Sequence, residues 1–194
     1  MLWTHLALLF LCADVPWQRE AVDDGLLLEV QSVPSASLEN IRVTGNSTAS
    51  AEVFAQAWWG DAADLSDNPS LAKREILLDR QDERLFYDVV SVPLASNRDY
   101  VMHAVRRRDD KSGVITLSFK SVEDRRKPVT PDLVRMRVEA SVTFTPDPRG
   151  GCQFVYTIST DIGGWLPAFV LKGPLRSATL GSAKELRRRA QTAK

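Results

Sequence analysis

Asp161-Ile162-Gly163-Gly164-Trp165-Leu166-Pro167, with the long run behind it that closes on Leu186-Arg187-Arg188-Arg189, decides how this chain folds. Alternating apolar residues lead into Asp161, and the glycine pair lets the backbone turn. Pro167 then sits where a helix begins, a place where a fixed φ and a missing N–H do no harm. The stretch therefore hands a strand over to a C-terminal helix. Upstream, Pro93-Leu94-Ala95-Ser96-Asn97-Arg98-Asp99-Tyr100-Val101 opens another strand after a turn-forming segment.

Period-two alternation dominates the rest. Met136, Val138, Ala140, Val142 and Phe144 share one face, and Arg137, Glu139, Ser141 and Thr143 share the other, which is the pattern of a half-buried strand. Cys152, Phe154, Tyr156 and Ile158 repeat it beyond the turn residues Pro146-Asp147-Pro148-Arg149-Gly150-Gly151, giving an antiparallel hairpin. Ile115, Leu117 and Phe119 form a third such face, and residues 25–31, 39–45, 73–79, 84–92 and 99–108 are further strands. The sum is a large antiparallel sheet with one wet face.

Two helices stand out. Ser50 caps the first, which places Val53, Phe54 and Trp58 on one side. In the C-terminal run Leu171, Leu175, Ala178, Ser182 and Leu186 recur at steps of three and four, so they form its apolar stripe, and the small residues Ala178, Gly181 and Ser182 leave room beneath. Pro174 cannot donate to the carbonyl of Val170, so this helix is expected to kink there or to restart with Pro174 in its first turn. One long helix laid across a curved antiparallel sheet is an α+β architecture.

With 194 residues, 44% of them hydrophobic, the chain suits one domain with a real core, expected over residues 14–194. The 25 basic and 25 acidic residues cancel, so no net field favours nucleic acid, and no nucleic-acid partner is expected. Arg106-Arg107-Arg108, Arg125-Arg126-Lys127 and Arg187-Arg188-Arg189 have acidic neighbours and suit a solvated face, with anionic lipid headgroups as the alternative target. Leu6 to Ala13 is an apolar run closed by a small residue, the pattern of a short signal peptide spanning residues 1–13. Cleavage there predicts a periplasmic or secreted protein; without it, the protein would be cytoplasmic or N-terminally anchored. Loss of Cys12 would leave Cys152 alone, with no internal disulfide.

Catalytic signals are sparse. His5 and His103 are the two histidines, so no histidine pair can hold a metal. No nucleophile elbow, phosphate loop or dinucleotide fingerprint occurs, and Asp61, Asp64 and Asp67 lack the spacing of a calcium loop. No catalytic residue, metal ligand or cofactor is assigned.

Ser96–Val101, Ser159–Pro167 and the terminal Leu186–Arg189, in this order and at this separation, resemble the START (steroidogenic acute regulatory protein-related lipid-transfer) domains. The resemblance runs from about Gly25 to Arg189. It implies a helix-grip fold: a curved antiparallel sheet wrapped around a long C-terminal helix, enclosing a hydrophobic tunnel roofed by that helix and by the loop before Arg98. The implied function is non-catalytic binding, transport or sensing of a lipid or other hydrophobic small molecule, with transient contact at a membrane surface. The strand after Arg98 offers Tyr100, Met102 and Ala104 but no basic partner for a sterol hydroxyl, a departure that argues against sterol specificity. Alternation assigns the pocket contacts to Tyr100, Met102, Leu117, Val138, Ala140, Val142, Phe154, Ile158, Phe169, Leu171 and Leu175, with Arg98, His103 and Tyr156 as polar contacts. Trp165 belongs either to the core or to the mouth of the tunnel. Two other readings stay open: a polyketide cyclase or aromatase of the same superfamily, and an inert interaction module.

Overall fold

The computed structural model describes residues 15–33, 38–61, 70–92, 95–165 and 168–193, the side chains of Asp61, Ala168 and Phe169 excepted. Residues 1–13, expected to be a signal peptide, and the loop residues Pro93 and Leu94 lie outside them. The strands are β1 (Gln18–Asp23), β2 (Leu26–Gln31), β3 (Asn40–Ser47), β4 (Leu71–Asp79), β5 (Glu83–Val90), β6 (Arg98–Arg108), β7 (Ile115–Val122), β8 (Val134–Arg135), β9 (Arg137–Pro146) and β10 (Cys152–Asp161), with helices α1 (Ala51–Asp61) and α2 (Ala168–Thr192). They form one sheet in the order β1-β2-β3-β10-β9-β7-β6-β5-β4, every neighbour antiparallel, while β8 adds to the start of β6 in parallel.

Both expected helices form. Ser50 Oγ accepts the N–H of Val53 at 3.3 Å, capping α1. Val53 itself is exposed, and Phe54, Ala55, Trp58 and Trp59 carry the buried face instead. The stripe of α2 also differs from expectation: Ala178, Gly181 and Ser182 face solvent, and Thr179, Ala183, Leu186 and Ala190 are buried. From Leu175, steps of three and four are equally helical, and Thr179 can point inward because its hydroxyl donates to the carbonyl of Leu175 at 2.7 Å. Helix α2 runs through Pro174 as one element, so neither a restart nor a second helix occurs there. Its polar face is tied to the β1–β2 hairpin by Lys184 to Asp23, Arg187 to Asp24 and Arg176 to Glu20, and to the start of β3 by Arg176 to Glu39.

Cross-strand register defines the inner face. Phe144 pairs with Phe154, Val142 with Tyr156, Ala140 with Ile158 and Val138 with Thr160. At one end α1 fills this face: Phe54 packs tilted against Phe144 and edge-to-face against Phe154, each at 5.0 Å between centroids, and Trp58 meets Tyr156 at 4.9 Å. Gly163, at φ 63°, marks the other end. A Cβ there would lie 2.6 Å from the Arg135 carbonyl oxygen, so only glycine lets the chain leave β10 tight against β8.

Candidate functional site

Two halves of the inner face differ in packing. Beneath α1, Ile115, Leu117, Val142, Phe144 and Phe154 are at most 1% exposed. Leu117, Val142 and Phe154, expected to touch ligand, therefore belong to solid core. Further along the same strands, Phe119, Val138, Ala140, Tyr156 and Ile158 also point inward, yet each keeps accessible surface, as do Leu171 and Leu175 of α2. These strands are central in the sheet, so the surface they keep is not that of a sheet edge.

The tyrosines make the same point chemically. Burial pushes the Tyr156 hydroxyl up to about 12, and burial, then the charge of Asp88, raises Tyr100 further. Protein surrounds both rings, but neither is sealed from a small probe. A cavity wall has this combination.

Opposite Tyr100 lies a polar cluster that composition and alternation did not reveal. Arg74 donates to both oxygens of Asp88 at 2.7 and 2.6 Å, and the Tyr100 hydroxyl donates to Asp88 Oδ2 at 2.8 Å. Asp88 is fully buried, and the Arg74 guanidinium also covers the Phe86 ring at 4.4 Å. On β5, Arg84, Phe86 and Asp88 alternate with Leu85, Tyr87 and Val89, so both faces mix apolar and polar residues and neither announces itself as inner.

The reason is that the outer face here is covered too. Asp99, beside Arg98 in sequence, points the opposite way and accepts from Arg135 Nε at 2.9 Å and from Arg135 Nη2 at 3.0 Å. The Tyr87 hydroxyl donates to the same carboxylate at 3.1 Å, and Lys127 Nζ sits 4.9 Å over the Tyr87 ring. The chain between β7 and β9 thus straps the outer side of β5 and β6.

Arg98 and Met102 are buried on the inner face with Tyr100. His103 is not: it faces outward and meets Glu83 at 3.0 Å, a hydrogen bond that holds the Glu83 carboxyl below its usual range. The ligand role assigned to His103 fails on strand parity. Trp165 is 90% exposed and so is neither core nor cavity wall. The side chain of Phe169 lies outside the described residues. Among the described residues no group of His, Cys, Asp and Glu is placed to hold a metal ion, and no helix is long and apolar enough to cross a membrane. The basic clusters are largely paired, Arg106 and Arg108 with Glu52, Arg126 with Asp124, and Lys127 with Glu75.

A groove on the convex face, lined by Asn46, Thr145, Pro146, Asp147, Arg149 and Gln153, is wide open to solvent, a poor host for an apolar molecule. The half of the inner face that keeps accessible surface is the better candidate.

Comparison with known proteins agrees with this architecture. The family described as START domain matches residues 78–194. A STAR-related lipid transfer protein from Xanthomonas axonopodis is similar at 25% identity with a TM-score of 0.77, over 91% of this chain and 99% of that one. Human StAR-related lipid transfer protein 5 is similar at 17% identity, TM-score 0.66, over 93% of this chain and 86% of that one. Norcoclaurine synthase from Thalictrum flavum shares the fold at 16% identity, TM-score 0.50, over 80% of this chain and 94% of the enzyme. No curated protein matches the chain.

Proposed function

Because the chain belongs to the START domain family, we propose that it binds a lipid between the accessible half of its inner face and α2, and carries or senses that lipid without transforming it. The observation that supports this most is that the inward, central-strand residues Phe119, Val138, Ala140 and Ile158 keep accessible surface, whereas Leu117, Val142 and Phe154 further along the same strands are sealed. Burial alone supplies the driving force. About 300 Å² of acyl chain removed from water gives roughly 7 kcal/mol before the costs of ordering.

Polar selectivity comes from Tyr100, Tyr156 and Arg98. The Tyr156 hydroxyl makes no hydrogen bond among the described residues, so a ligand oxygen has a donor waiting. Both tyrosines are held far above neutral pH, which makes them poor acids and bases. With His103 on the outer face, nothing among the described residues of the cavity favours catalysis over binding. Exposed Trp165 and half-exposed Val170, at the head of α2, would touch the membrane during loading.

Organic extraction of the purified protein followed by mass spectrometry tests the proposal. Recovery of lipid near one equivalent is expected. Protein that yields no lipid and takes up no fluorescent fatty acid would overturn it.

A further inference from the structure

Arginines that are largely buried in this protein come with a carboxylate. Arg74 pairs with Asp88, Arg84 with Asp79, Arg106 with Glu52, Arg135 with Asp99 and Arg187 with Asp24, at side-chain exposures between 10 and 14%. Arg98 is buried outright, at 2% exposure over the whole residue, and has no such partner among the described residues. Among the described residues its one hydrogen bond runs from Nη1 to the Ser96 carbonyl, and its Nε, sealed from solvent, meets no acceptor.

A guanidinium cannot shed its proton, so burial does not neutralise it. One candidate counter-charge on the inner face, Asp88, is already engaged by two bonds from Arg74 and one from the Tyr100 hydroxyl. Asp99 points outward and is saturated by Arg135 and Tyr87. Among the described residues no carboxylate at this end of the inner face is therefore left to balance Arg98. A buried cation with an idle N–H is incomplete unless an anion joins it.

We propose that Arg98 is the head-group subsite, and that the ligand is a single-chain amphiphile whose head is an anionic oxygen group, a carboxylate or a phosphate. This rests on the reading of the interior as a lipid site. The planar guanidinium fork suits either anion. Arg98 opens β6, so the head would sit at the end of the cavity away from α1. The tail would extend toward Phe119, Ala140 and Ile158.

The test uses four probes with one C18 tail: oleate, oleyl phosphate, oleyl alcohol and methyl oleate, each titrated into the delipidated protein at about pH 8, where both acids are ionised. The expected result is that an acid binds roughly ten- to hundredfold more tightly than the alcohol, the worth of a charge-assisted hydrogen bond. The tighter of the two acids identifies the source of the head group. Arg98→Met should bring the acid-to-alcohol ratio close to one, and Arg98→Lys, which keeps the charge without the fork, should retain part of it. If Arg98→Met does not fold, the wild-type ratio and its drop in Arg98→Lys carry the test. Equal binding of acid, alcohol and ester would overturn the anionic head while leaving the lipid cavity standing. A preference that survives in folded Arg98→Met would overturn the assignment to Arg98. If no probe binds, the cavity reading falls with it.

Discussion

Ala140 and Val142 lie two residues apart on the same face of β9, and replacing each by tryptophan should have opposite consequences. Val142 is fully buried, paired with Leu117 and Tyr156 in the half that α1 fills. Ala140 pairs with Phe119 and Ile158 and keeps accessible surface. An indole at Val142 has nowhere to go, and overpacking there should cost about 1–3 kcal/mol or more. An indole at Ala140 would enter unfilled space, so stability should change by less than about 1 kcal/mol. The cost appears in binding instead. Expelling about 100 Å² of acyl surface from the cavity forfeits roughly 2.5 kcal/mol, a loss of about 70-fold in affinity. Urea denaturation gives the stabilities, and displacement of a fluorescent fatty acid gives the affinities. Folded Ala140→Trp that binds as wild type, or an Ala140→Trp variant as destabilised as Val142→Trp, would refute the division of the inner face into a filled and an open half.

The remaining expectations concern charge and processing. Tyr156 is raised from 10.0 to about 12 by burial. Below pH 10 it is neutral in both states and its contribution is intact. Above that the unfolded chain loses the proton first, so stability falls between pH 10 and about 12, by roughly 2–3 kcal/mol in all. Urea titrations across this window should show a shallower decline in Tyr156→Phe, and identical declines would contradict the origin assigned to the shift. Asp88→Asn should destabilise by about 3–5 kcal/mol, because it leaves the Arg74 guanidinium buried without its charge partner; a midpoint unchanged in chemical denaturation would count against that pairing. Protein recovered from the native host should begin at or near Asp14, and an intact Met1 by N-terminal sequencing would sink the proposal of export.

Much of this molecule is legible in its sequence because one face of most strands is buried and the other wet. Met136 to Phe144 and Cys152 to Ile158 alternate cleanly, and the structure pairs them as a hairpin. Strand β1 escaped because, as an edge with almost every residue exposed, it has no burial to impose a period. Strand β8 escaped because two residues make no pattern; it is held by Val134 and Met136, whose N–H groups donate to the carbonyls of Asn97 and Asp99. Arg74 and Asp88 escaped because a strap covers the outer side of β5, so both faces are buried and the polarity that marks a wet face is lost. Parity was the missing signal for His103, since Tyr100 and Met102 cannot share a face with it. The stripe of α2 was misplaced at Ala178 and Ser182 because small residues are ambiguous between surface and close approach. Thr179 settles it by satisfying its hydroxyl within the helix.

The central claim is that the protein holds a lipid inside, between β7, β9 and β10 on one side and α2 on the other. Crystals grown with a fatty acid brominated near its tail end locate the tail directly by anomalous scattering from the bromine. The account predicts a bromine peak enclosed by Phe119, Ala140, Ile158 and Leu175. A stoichiometric complex whose bromine lies only on the convex face of the sheet would contradict it.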